Sequence, residues 1–429
     1  MGCAREKLEI PITTQSDEAH QIFRQARDMY ENFRTDEARE LFSQAIEKDS
    51  DFALAYLYRA LAAAASKDRR NDLERAVALA PKVSEGERLL IEANQAYYLE
   101  NNQEKWAELF KEMAEKYPKD KRAQFYYGIV YYYYNDYDKA IAEFDKAITI
   151  DKDYAPPYNL LGYIYRAKGD YQKAEEAFNN YIRLLPDQPN PYDSMADLLT
   201  KMGRHQEAIA NYQKAVELDP RFTTSQRNIG VNLVWTGKYD EGRDAIRKAI
   251  DMETTPAGKV VSMGAIARAY IYEDKLQEAL AAVDETIQAA TDANLPRRAA
   301  FYQLVKGLIC IEMEDLDQVE KSLSECKALL ESADIVLYYK NLYTYFALWN
   351  EASIAAKRKD FETAVSTADQ LKAKIEAVND PEAMEDQYFP LVAETAPPKL
   401  QCQSHACGKN SIHPASKHEE VFCSKASCP

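Results

Sequence analysis

The 429-residue chain holds only 13 glycines. Such scarcity fits a mostly helical chain, where each internal glycine costs about 1 kcal/mol against alanine. No apolar run approaches the roughly 18 residues that a membrane-crossing helix needs, so no span of that kind is expected. Positive charge is short too: the formal net charge is -16 and the pI is near 5.0. Phosphate backbones are bound by basic faces, so nucleic acid is not expected as the main partner. A nucleophile motif, a phosphate-cradling loop and a paired-acid arrangement are all missing, which argues against an enzyme and implies no cofactor. No secretory leader is recognisable, and as it stands the chain reads as soluble and cytoplasmic.

What the chain has instead is self-similarity. Three consecutive units of equal length run through residues 121–222 without an insertion, the mark of a repeat array. Ala140, Ala174 and Ala208 share one place in the unit, and Phe144, Phe178 and Tyr212 fall four residues later. Gly128, Gly162 and Ala196 precede those alanines at a constant distance, as do Asn135, Gly169 and Gly203. Each unit reads as two amphipathic helices. In the second of them Tyr158, Leu161, Gly162 and Tyr165 line one helical face, Gly169-Asp170 breaks it, Tyr171, Ala174 and Phe178 line the next, and Pro186 ends that helix. Helices that cross closely need small side chains at the contact, which is the expected role of Gly162 and Ala174.

This pattern resembles the tetratricopeptide repeat (TPR) family. The family's small first-helix residue matches Gly128, Gly162, Ala196, Gly230 and Gly307; its second-helix alanine matches Ala140, Ala174, Ala208, Ala279 and Ala364; and its aromatic matches Phe42, Phe110, Phe144, Phe178 and Tyr212. The resemblance implies an all-α fold, a right-handed α-solenoid of stacked helix-turn-helix hairpins. It also implies a non-enzymatic scaffold that binds a protein or peptide in a concave groove.

Residues 1–18 read as a flexible N-terminal tether without an apolar face. Residues 19–378 hold about ten repeats, most regular over 121–256. The second repeat is degenerate, with its second helix shortened around Asn71 to Ala80. Insertions are expected around Thr254 to Gly258 and Thr291 to Arg297. Residues 379–398 are expected to form a capping helix, and 399–429 a disordered tail. That tail carries Cys402, Cys407, Cys423 and Cys428 with three histidines. Zinc binding, two disulfides and a plain unstructured tail all remain open for it, and a metal-binding protein is one alternative function. Cys310 and Cys326 occupy apolar helix positions and read as buried free thiols.

In the family the groove is lined by one stripe of the first helices. Here that stripe carries Arg122, Phe125, Ile129, Tyr132 and Tyr133, then Asn159, Tyr163 and Arg166, then Asp193, Asp197 and Lys201, and finally Arg227, Val231, Trp235, Arg268 and Tyr272. Basic residues outnumber acidic ones along it within a strongly acidic chain, and aromatics beside arginine favour binding. The expected partner is therefore an extended or helical peptide bearing acidic or carboxylate groups. The alternative is that the tyrosines at 131–134 simply pack between helices. The family's clamp for chaperone C-termini is not matched: Asn159 fits one position, but Tyr163 and Ala167 replace the others. Met1-Gly2-Cys3 resembles the acylation site of a bacterial lipoprotein, which adds a second alternative, an envelope assembly factor anchored by lipid at Cys3 of a longer precursor.

Overall fold

The computed structural model describes residues 9–63, 66–332 and 337–376. Among them all regular structure is helical: twenty α-helices and one 3-10 turn. The chain divides after Ser225 into two compact units. In the first, consecutive helices pair as α1 (Asp17–Glu31) with α2 (Thr35–Lys48), α3 (Ala53–Leu61) with α4 (Ser66–Leu79), and α5 (Glu85–Tyr98) with α6 (Gln103–Lys116). The series continues with α7 (Lys121–Tyr133) and α8 (Tyr137–Ile150), α9 (Pro156–Ala167) and α10 (Tyr171–Leu184), and α11 (Pro189–Lys201) and α12 (His205–Leu218). Helix α13 (Thr223–Trp235) begins in the first unit and ends in the second. The second unit continues through α14 (Tyr239–Met252), α15 (Pro256–Tyr272), α16 (Leu276–Asp292), α17 (Pro296–Glu312), α18 (Leu316–Ser332), α19 (Leu337–Lys357) and α20 (Phe361–Glu376). The fold is an all-α solenoid of stacked hairpins.

Local chemistry sets the helix boundaries. Asp120, Asp136 and Asp170 each accept a backbone N–H in the first turn of the helix that follows, satisfying donors a helix start leaves orphaned. On α5 Ser84 and Glu87 form a reciprocal capping box. Proline opens α9, α11, α15 and α17, where its missing N–H is not needed. The break after α9 is made by Gly169 at φ 73°, and Asn135 takes the same left-handed conformation after α7 at φ 58°. In both, the next amide returns to the helix, Asp170 to the Tyr165 carbonyl and Asp136 to that of Tyr131.

Within a hairpin a glycine on the first helix meets an aromatic ring from the second. A Cβ at Gly162 would lie 2.4 Å from the Phe178 ring, and one at Gly128 would lie 2.5 Å from Phe144. Phe144, Phe178 and Ala174 are fully buried. Each such ring contributes roughly 1.5–3 kcal/mol by leaving water.

Three expectations change. The segment 9–16 is no loose tether. The Ile10 amide donates to Asp120 (2.9 Å), the Thr13 amide and hydroxyl donate to the two oxygens of Glu87 (2.7 and 2.5 Å), and the Thr14 hydroxyl and Gln15 amide donate to Asp49 (2.5 and 2.9 Å). Ile10 and Ile12 pack against the core of the first unit, so three carboxylates and two apolar side chains hold this strap. In the second repeat the short helix is the first, α3 with 9 residues, while α4 has 14. The expected insertions in the second unit are largely absorbed by longer helices: α15 to α18 have 17 residues each, about one turn more than the helices before them, and only short non-helical stretches at 253–255 and 293–295 remain. The expected capping helix at 379–398, the tail with Cys402, Cys407, Cys423 and Cys428, and Cys3 lie outside the described residues. Among the described residues no helix is long and apolar enough to cross a membrane.

Candidate functional site

On α7 the stripe is occupied by the protein itself. The Arg122 guanidinium donates to both carboxylate oxygens of Glu31, at 2.5 and 3.0 Å, and Asp28 lies 3.8 Å away. Burial works against that charge, and the Glu31 carboxylate outweighs it, holding the guanidinium firmly protonated. Phe125 packs its ring 5.6 Å from those of Phe144 and Tyr154. Ile129 joins the apolar cores on either side of it. Tyr132 lies 6.2 Å from Tyr137. Tyr133 is 45% exposed but leans on Trp106 and Tyr97, at 5.3 and 6.0 Å. Nearby, Tyr30 and Tyr58 meet edge to face at 5.6 Å, and the Tyr58 and Tyr126 hydroxyls are 3.2 Å apart. Burial drives the Tyr30, Tyr126 and Tyr154 hydroxyls well above their usual range. The facing sides of α1, α3 and α7 are thus filled from within by Tyr30, Tyr58 and Tyr126, whereas of the tyrosines at 131–134 the last two, Tyr133 and Tyr134, are exposed.

On α9 and α11 the stripe residues meet as one polar network. Ser194 donates to Asn159 (3.1 Å) and shares a hydrogen bond with the Tyr163 hydroxyl (3.0 Å). Arg166 stacks 4.8 Å over the Tyr163 ring and lies 4.0 Å from Asp197. Asp197 accepts from the Tyr212 hydroxyl (2.6 Å), and Asp193 accepts from Ser225. Burial pushes the Tyr163 hydroxyl up to about 12. Asn159 is buried, Tyr163 and Arg166 are half-buried, and Lys201 is exposed. Ser194 and Ser225 escaped the sequence reading; Ser194 directly follows Asp193 on α11, which was an available signal, whereas α13 has no aspartate to mark Ser225. The network also corrects the expected charge. In the first unit Arg122 and Arg166 already face carboxylates, so the basic excess counted along the sequence is largely neutralised there.

In the second unit Arg268 and Tyr272 are half-buried on α15, and Arg227 and Trp235 are half-buried on α13. Arg243, from a second helix, is held between Asp240 and Glu273 and lies 4.6 Å over the Tyr270 ring. Cys310 and Cys326 are buried and free, and burial pushes their thiols up to about 11 and about 12. Among the described residues no three His, Cys, Asp or Glu side chains gather in a way that could hold a metal ion.

Family models agree with this architecture. Models described as tetratricopeptide repeat match residues 18–83, 107–155 and 132–198, and one described as TPR repeat matches 196–233. A comparison with curated proteins finds no match. Among solved structures, YrrB, a TPR protein with an unusual peptide-binding site, is 23% identical over 44% of this chain and 96% of its own, with a TM-score of 0.34. A tetratricopeptide repeat protein from Parabacteroides merdae is 12% identical over 61% of this chain and 98% of its own, with a TM-score of 0.47. The Cut9–Hcn1 hetero-tetramer of the APC/C matches at 14% identity over 77% of this chain and 76% of its own, with a TM-score of 0.41. The glycine-on-aromatic hairpins lie within the matched stretches, and over residues 18–83 and 107–233 this chain carries tetratricopeptide repeats.

Proposed function

We propose that the chain is a non-enzymatic scaffold that binds a peptide or protein partner along the outward side of its first helices. The observation that carries this reading is the Tyr163–Arg166 pair, stacked at 4.8 Å on α9 and only half-buried, with Lys201 exposed on α11. Hydrogen bonds to Ser194 and proximity to Asp197 hold the pair in place, so little side-chain freedom is lost on binding. An aromatic ring beside a guanidinium is the residue pairing in which interface energy concentrates. Arg122, Phe125, Ile129 and Tyr132 support the array instead, because their contacts are already made within the chain.

The test begins with a partner captured by the full chain and identified by mass spectrometry. Tyr163→Ala combined with Lys201→Glu is expected to weaken that partner at least about tenfold while leaving helicity unchanged. Unaltered affinity contradicts the reading.

A further inference from the structure

We propose that the faces of α15 and α17 form a docking surface for an acidic peptide segment, with Arg268 and Arg298 taking its carboxylates on either side of a notch at Gly264. The proposal rests on the scaffold reading only in taking first helices as the contact surface.

The notch comes from one missing side chain. A Cβ at position 264 would lie 2.0 Å from the Tyr302 hydroxyl, so only glycine lets that hydroxyl in. There Tyr302, 6% exposed, donates to the Val260 carbonyl at 3.4 Å, which pins α17 against α15. Arg268 stands one helical turn beyond Gly264 on α15, and Arg298 one turn before Tyr302 on α17, so the two residues flank the junction, and both charges act on the Tyr302 hydroxyl. Burial pushes the Tyr302 hydroxyl up, while the positive charges of Arg268, Arg298 and Arg227 all act to bring it down.

Among the described residues no carboxylate pairs with Arg268 or Arg298, although in the same unit Arg243 has two and Lys306 has Asp284. Charge is also sorted between the helices. Together α15 and α17 carry five lysines and arginines against one acid, Glu312, but Lys306 is already paired with Asp284 and Lys259 lies on the opposite side of α15 from Arg268. Helix α16 carries four acids and no lysine or arginine. In a chain of net charge -16, the Arg268 and Arg298 pair at this junction is complementary to a negatively charged segment. The planar fork of arginine matches a carboxylate with two parallel hydrogen bonds.

The test is fluorescence anisotropy of a labelled hexaglutamate peptide with an amidated end, titrated with the full chain at low salt. Saturable binding is expected, with none for hexaglutamine. Arg268→Gln and Arg298→Gln should each weaken it, and the double variant at least about tenfold, with the unfolding midpoint unmoved. Arg247→Gln, on α14 and already paired with Asp244, should leave it unaltered. Equal binding by the double variant overturns the proposal, as does absence of hexaglutamate binding. Tighter, arginine-dependent binding of inorganic phosphate or of an oligothymidylate also overturns it, because the site would then read phosphate. If hexaglutamate fails while a partner still depends on Tyr163 and Lys201, this inference falls and the scaffold reading stands. The reverse result removes the scaffold reading at α9 and α11 alone.

Discussion

Arg122 and Glu31 are 91 residues apart, yet they form a two-point ion pair that ties α7 to the end of α1. The Glu31 side chain is 9% exposed. Removing one member leaves a charge with little water around it, and the expected cost is about 3 kcal/mol. Urea unfolding of Arg122→Met should show this loss, and Arg122→Met with Glu31→Gln should recover part of it. A single variant as stable as the parent would contradict the pair's role.

The glycine-on-aromatic contact gives a second prediction. Gly162→Ala pushes a methyl into the Phe178 ring and should cost about 1–3 kcal/mol. Adding Phe178→Leu should return some of that by making room. Gly169→Ala meets open space, and its cost of about 1–2 kcal/mol should come from the left-handed backbone alone, so no second-site change in a side chain should relieve it.

The strap over residues 9–16 should loosen in acid. Burial raises the Asp49 carboxyl, but the Thr14 hydroxyl and the Gln15 and Asp51 amides outweigh it and hold it below its ordinary value near 3.8. A depressed folded value stabilises the folded state above the unfolded value and ceases to do so as pH falls through the folded one. The Gln15 amide, followed by NMR hydrogen exchange referenced to an unstructured peptide, should therefore lose protection as pH drops below about 4. Asp49→Asn should flatten that part of the dependence. An unchanged pH profile in the variant would assign the acid response elsewhere.

Cys310 and Cys326 should resist alkylation at pH 8 in the folded chain and react after denaturation, because burial lifts both thiols to about 11 and about 12. Peptide mapping by mass spectrometry separates them from the other cysteines. Rapid modification of either in native conditions would show that the hairpin of α17 and α18 opens readily.

What was legible in the sequence was local. Gly162, Ala174 and Phe178 lie within one hairpin, so a fixed repeat period exposes their relationship, and with it the fold. The strap was not legible, because Ile10 and Thr13 find their acceptors 110 and 74 residues away and no period links them. The same holds for Arg122, whose place in the repeat marks it as a groove residue while a distant glutamate has already claimed it. Arg298 was missed for a different reason. The later hairpins are longer by about one turn, so a unit of the regular length placed on Gly307 begins after Arg298, although α17 already starts at Pro296. Helical spacing alone places Asn159, Tyr163 and Arg166 on one face; Ser194, which joins Asn159 to Tyr163 from the next hairpin, is not linked to them by that spacing.

Hydrogen-exchange mass spectrometry of the full chain, with and without its captured partner, tests the central claim most directly. The scaffold reading predicts added protection over residues 156–167 and 189–201, the helices that present Tyr163, Arg166 and Lys201. Protection confined to 121–133 or to the second helices α10 and α12, with α9 and α11 unchanged, would contradict it.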